Sequence, residues 1–200
     1  MNIGNENIPD LKSKIEHIIR ESISTKEKIL NDATMISRIG EAASVCIAAF
    51  RADKKLLFCG NGGSAADAQH IAAEFSGRFY NDREPLFAEA LHVNTSYLTA
   101  VANDYSFEEV YSRLVKAKGR EGDILFGIST SGNSANIVNA FQVARDRGVK
   151  TIALTGATGG KMKDLSDILL NVPSTDTPRI QESHIVIGHI ICQLVEEALF

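Results

Sequence analysis

No run of apolar residues in this chain reaches the ~20 that a membrane-spanning helix needs, and the polar opening MNIGNENIPDLK offers no hydrophobic core for a signal peptide. The expected setting is the cytoplasm, with no membrane partner. Basic residues are not in excess either: 21 Lys and Arg face 25 Asp and Glu, a net charge of −4. Such a chain lacks the positive field that draws nucleic acid by counterion release, so no nucleic-acid partner is expected. Cysteine is scarce. Cys46, Cys59 and Cys192 stand far apart in apolar surroundings without a CxxC pair, which argues against a zinc ribbon or dithiol redox motif and for buried free thiols. No internal repeat, low-complexity tract or linker divides the 200 residues, and 44% hydrophobic content supplies one substantial core. The reading is a single domain over 1–200, with a helical region at 1–51 and an α/β core at 52–200.

What is present alternates. Leu11, Ile15, Ile18, Ile19 and Ile23 recur at helical spacing, and a second helix follows from Ala33 to Arg51 with Ile36, Ile39, Ala43, Cys46 and Ala49 on one side. These stripes can cover the sheet or bury themselves against another subunit. Strands are then predicted near 56–59, 88–93, 123–128, 151–155 and 168–172. Helices are predicted at 64–76, through 116, at 133–147, and from Pro178 almost to Phe200. Short apolar strands separated by helices, with few hairpin signals, imply a parallel sheet covered on both faces.

The segment LLFCGNGGSAADAQHIAAE, residues 56–74, sets a strand, a glycine turn and a helix in succession. Gly60, Gly62 and Gly63 permit close backbone approach, and the free N–H groups that open the next helix attract anions. His70 and Glu74, four residues apart on that helix, can address one point. Gly60, Gly62 and Ala65 also fit the loose form of a dinucleotide fingerprint. That reading lacks the acidic residue expected at the end of the second strand, and no Gly-Lys-Ser/Thr follows to make a Walker A loop.

GDILFGISTSGNSANI carries a second loop, where Ser129, Thr130, Ser131 and Ser134 meet a helix start. Ser134 or Asn133 alone would read as a cap. Four hydroxyls in six positions exceed what a cap requires and suit a phosphate bound without lysine. A third element, RIQESH, opens the last helix, with Gln181 and His184 near one face and His189 beyond. Gln181 and His189 differ by ~80° and ~12 Å of rise, and converge only if His189 leans back and Gln181 reaches forward. By itself, a histidine within IVIGHIICQLV reads more readily as a core residue.

CGNGGSAADAQH, GISTSGNS, ALTGATGGKM and RIQESH together resemble a sugar isomerase (SIS) domain, and within it the bacterial phosphoheptose isomerases, over most of residues 55–199. The resemblance implies a five-stranded parallel sheet flanked by helices and a homotetramer with active sites at subunit interfaces. It further implies interconversion of sedoheptulose 7-phosphate and D-glycero-D-manno-heptose 7-phosphate, the first step toward the activated heptose of lipopolysaccharide. Carried over by residue, Asn61, Gly62 and Gly63 hold the sugar chain, Asn103 and Asp104 contact its hydroxyls, and Ser129, Thr130, Ser131 and Ser134 hold the phosphate. His70, Glu74, Gln181 and His189 surround the reacting end and bind one zinc ion per subunit, although iron, manganese and nickel suit the same donors.

Aldose–ketose exchange moves a proton between C1 and C2 through an enediol. Glu74 is expected to shuttle the carbon proton and His189 to serve oxygen protonation and ring opening. The alternative is a DiaA-like SIS protein that binds the replication initiator DnaA, from which an acid at 74 and an imidazole at 189 would be expected to be missing. Their presence favours the enzyme. His17 reads as a solvated group, His92 as core or loop, His184 as a partner of the site or of an interface, and Arg78 and Arg179 as surface arginines able to steer an anion.

Overall fold

The computed structural model describes residues 11–200; the polar stretch that opens the sequence lies largely outside them. The described chain runs α1 (Leu11–Leu30), α2 (Ala33–Arg51), β1 (Leu56–Gly60), α3 (Gly63–Ser76), β2 (Ala88–Ala90), α4 (Thr95–Asp104) and α5 (Val110–Lys118). It continues through β3 (Ile124–Ser129), α6 (Ala135–Asp146), β4 (Lys150–Thr155), β5 (Ile168–Asn171) and α7 (Thr177–Leu199), with 3-10 turns at Phe107–Glu109 and Gly160–Leu165. The helical stretch expected through 116 is thus two helices joined by a 3-10 turn.

The five strands are parallel, in the order β2-β1-β3-β4-β5. Every residue of β1 and β3 is buried, which is why both read as unbroken apolar runs. Alternation across the pleat splits them between two cores. Leu56 and Phe58 join Phe126 and Ile128 under α2, α3 and α7, whereas Leu57, Cys59, Leu125 and Ala153 lie under α4, α5 and α6.

Asp32 caps α2 by accepting from the Thr34 and Met35 amides. The helix is rotated slightly from the expected phase: Met35 is buried and Ile36 is 47% exposed. Among the described helices α2 alone is long and apolar enough to cross a membrane by length and composition, yet its row Met35, Ile39, Ala42, Ala43, Cys46 and Ala49 lies in the core. On α1 the whole stripe Leu11, Ile15, Ile18, Ile19 and Ile23 stays 50–57% exposed. The sheet of this chain does not cover it. The three cysteines are buried and free, as expected.

The strand order creates the place for a ligand. From β1 the chain crosses to β2 on one side, and from β3 to β4 on the other, so the crevice beyond the carboxyl ends of β1 and β3 is a topological switch point. Both loops singled out in the sequence open there.

Candidate active site

β1 ends at Gly60, whose carbonyl accepts from the Tyr111 hydroxyl. Gly62 then adopts φ 56° and starts α3, a left-handed conformation that a side chain would strain. A Cβ on Gly63 would stand 2.7 Å from Gln181 Nε2, so the Gln181 carboxamide lies directly on this turn. Asn61 exchanges two 2.9 Å amide hydrogen bonds with Asn136 of α6. That pair ties the glycine turn to the helix that follows the second loop.

In the second loop the hydroxyls of Ser129 and Ser134 are 2.9 Å apart. Ser134 holds the cap position of α6 but makes no side-chain cap bond, so its hydroxyl is turned to the loop and not to the helix. The Ser131 hydroxyl accepts from the Asn133 amide at 3.1 Å. Gly132 has φ 65°, and a Cβ there would meet Gly159 O at 2.1 Å. The segment after β4 locks on from the other side: Lys161 N donates to Asn133 Oδ1 at 3.0 Å and Met162 N to Gly132 O at 3.0 Å. Together they frame a cavity of about 270 Å³ whose lining, including Thr130, Ser131, Asn133, Thr158, Ser174 and Thr175, is uncharged.

His70, Glu74 and His189 form the chemical cluster, their donor atoms all within 4.8 Å of one another. His70 Nε2 is 3.1 Å from Glu74 Oε1 and 3.2 Å from His189 Nε2. The helix spacing of His70 and Glu74 therefore meets one point, and His189 faces His70 and does not enter the core. The helices come close because Gly188 admits Ile71, whose Cδ1 lies 2.5 Å from where a Cβ would be. The cluster is open: His70 and Glu74 side chains are 50% and 24% exposed. Two imidazole nitrogens and a carboxylate oxygen directed at one point are a chemically suitable donor set for a divalent transition metal such as zinc. Asp67, one turn before His70, has an unpartnered buried Oδ2; burial pushes its carboxyl up, opposed by His70.

Other expected residues are placed differently. Gln181 rests over Gly63, two turns of α3 (~10 Å of rise) before His70. Asn103 and Asp104 end α4, exposed and hydrogen bonded to each other at 2.9 Å. His184 is fully buried and its Nε2 donates to Thr155 O at 3.1 Å, so it is a core residue. Arg179 is not on the surface: it is 9% exposed, donates to Ile18 O at 2.9 Å and pairs with Glu182 at 2.6 Å, joining α1 to α7. The sequence reading did not single out Asn136, Thr158 and Ser174; for Ser174 the hydroxyl-rich stretch PSTDT after β5 is the local signal, and Thr158 stands alone in the turn after β4.

A glycine turn and a hydroxyl-lined turn at the switch point, with an imidazole–carboxylate cluster on the flanking helices, define an α/β protein with a polar small-molecule crevice at the carboxyl ends of its strands. A SIS domain model matches residues 19–156, and the chain belongs to that family. It is 54% identical over 190 residues to the phosphoheptose isomerase of Clostridium acetobutylicum, covering 95% of this chain and 97% of that one. The Aneurinibacillus thermoaerophilus phosphoheptose isomerase is also 54% identical, over 93% of this chain and 94% of its own length. The solved phosphoheptose isomerase GmhA of Neisseria gonorrhoeae superposes with a TM-score of 0.88 at 44% identity, covering 94% of this chain and 99% of that one. Within the SIS family, this chain is therefore a member of the phosphoheptose isomerases, which are sugar-phosphate isomerases. These relatives give the initiator-binding alternative no support.

Proposed function

We propose that this chain interconverts sedoheptulose 7-phosphate and D-glycero-D-manno-heptose 7-phosphate in the cytoplasm. The observation that carries the reading is the convergence of His70, Glu74 and His189 on α3 and α7, the helix faces beside the two anion-accepting turns. Ser129, Thr130, Ser131 and Ser134 take the phosphate with the α6 N-terminus. The Gly62–Gly63 backbone, with Asn61 and Gln181, holds the sugar chain, and Asn103 and Asp104 receive its hydroxyls.

The Glu74 carboxylate takes the proton from one carbon and returns it to the next, while His189 protonates and deprotonates the oxygens and serves ring opening. His70, Glu74 and His189 would hold one zinc ion, and Gln181, which rests over Gly63, is kept for the sugar chain. When bound there, the ion supplies Lewis-acid polarisation of the carbonyl. We further propose a homotetramer with active sites at subunit interfaces. It is supported by the uncovered α1 stripe, by Val186, Ile190 and Leu194 of α7 at 39% exposure each, and by the open side of the cluster.

Purified protein given sedoheptulose 7-phosphate should form the aldose product, and Glu74→Gln and His189→Gln should each lower kcat ~10²- to 10⁴-fold with unchanged circular dichroism. Stripping and restoring the metal in the same assay reports whether zinc is required. No turnover by folded, zinc-loaded protein would overturn the reading.

A further inference from the structure

The segment that follows α3 folds back on a buried ion pair. Arg83 Nε donates to Glu196 Oε1 at 2.8 Å, and both side chains are only 2% exposed. The rest of the guanidinium is spent on backbone carbonyls: Nη2 donates to Glu74 O at 2.9 Å, and Nη1 to Phe75 O at 2.9 Å and Glu84 O at 3.1 Å. The carbonyls at the end of α3 have no partners within the helix, and Arg83 supplies them from outside. Glu196 in turn accepts from the amides of Phe79, Tyr80 and Asn81 at 3.3, 2.8 and 3.0 Å. The ring of Phe79, held by this contact, lies 5.7 Å from the ring of His189.

The location of this unit matters for chemistry. His70 and Glu74 belong to α3 and His189 to α7, and across that gap the cluster itself has only a side-chain contact at 3.2 Å. Gly188 sets how closely the helices approach. The Arg83–Glu196 pair sets how far the end of α3 slides along α7, because it grips the carbonyl of Glu74 and a glutamate two turns beyond His189 on the same face. We infer that Arg83 and Glu196 are positioning residues for isomerisation: together they fix Glu74 against His189 and hold Phe79 on the imidazole. This rests on the assignment of Glu74 and His189 to proton transfer.

Arg83→Lys tests it, since lysine keeps a charge beside Glu196 but cannot reproduce the planar fork that reaches the carbonyls. The comparator is Asp123→Asn, which breaks a second buried ion pair, Lys55–Asp123, where β3 starts, at the opposite end of the strand from the site. Both variants should lower the melting temperature. Arg83→Lys should also lower kcat for sedoheptulose 7-phosphate about 30-fold with KM within twofold, because a displacement of the order of 1 Å at the reacting groups is costly. Asp123→Asn should leave kcat within twofold. As a readout independent of turnover, the imidazole nitrogen resonances of His70 and His189 should move in Arg83→Lys and stay in Asp123→Asn. If Arg83→Lys matches Asp123→Asn in both kcat and resonances, the clamp is a strut for the fold and the inference is overturned. Should the parent itself fail to turn over sedoheptulose 7-phosphate, the proposed reaction falls, and the resonance comparison still decides the clamp.

Discussion

The two ends of the candidate site are built by opposite means. At the proposed phosphate end, the 129–134 and 156–162 segments interlock through backbone atoms, and the backbone itself shapes the cavity. At the proposed reacting end, three side chains stand on the outer faces of two helices, half of the His70 side chain is in solvent, and the register is set by groups beyond the cluster. A phosphate can be held by N–H groups and hydroxyls that the fold fixes directly. Proton transfer needs side chains whose placement depends on packing at a distance. The first end should therefore resist small changes around it and fail when its backbone is forced, whereas the second should be sensitive to its surroundings.

The largest expected break at the phosphate end is Gly132→Ala. The new methyl would need φ 65° and would lie 2.1 Å from Gly159 O, so the two segments must separate. Left-handed strain and overpacking together should cost about 4 kcal/mol of stability and raise KM at least 100-fold. Urea unfolding and initial rates check both; a variant with parental KM would mean that the interlock does not shape the phosphate site.

The same contrast explains what the sequence could reveal. The glycine turn, the hydroxyl loop and the pairing of His70 with Glu74 are local features, governed by backbone freedom and the 3.6-residue turn; the turn and the pair stand as their spacing predicts, while of the four loop hydroxyls Thr130 and Ser131 line the cavity and Ser129 and Ser134 pair with each other. The rotational phase of a helix is not local. His184 and His189 share an apolar helix and differ by ~140° in azimuth, and only packing against β4 and α3 sends the first into the core and the second to His70. For the same reason Met35 and not Ile36 enters the core, and Arg179, read as a surface arginine, closes onto α1. Arg83 and Glu196 lie 113 residues apart, with no motif between them to announce the pair. Asn103 and Asp104 came from resemblance alone, and the chain places them at the exposed end of α4.

An intermediate effect concerns the core next to the proposed phosphate end, where His184 donates to Thr155 O at the end of β4. Burial pulls this imidazole down to about 4 from 6.5, partly offset by the Thr155 carbonyl. Between those values the unfolded chain binds the proton and the folded chain does not, so stability is full above pH 6.5 and falls as pH drops toward 4. The shift corresponds to about 3 kcal/mol. Urea unfolding at pH 7 and 4.5 should show most of that loss in the parent, and His184→Gln should flatten it. An equal slope in the variant would assign the acid sensitivity to other groups. Glu196 is one such group, with its own loss at lower pH: burial raises its carboxyl, and the Tyr80 and Asn81 amides with Arg83 more than reverse this.

The smallest effect expected is also the most discriminating. Ser134→Ala removes one hydroxyl 2.9 Å from that of Ser129 and leaves the interlocked backbone untouched. One hydrogen bond to a charged phosphate is worth about 1.5 kcal/mol at the low end of its range, so KM should rise about tenfold. If the phosphate end only holds, kcat should stay within twofold, since the reacting carbons are at the other end of the sugar chain. If kcat falls instead while KM stays constant, phosphate binding is realised mainly in the transition state, and the two ends act as one device. Measuring kcat and KM for Ser134→Ala beside Arg83→Lys puts one change at each end. Opposite signatures would keep the division between a fixed phosphate end and a positioned reacting end, and a shared fall in kcat would remove it.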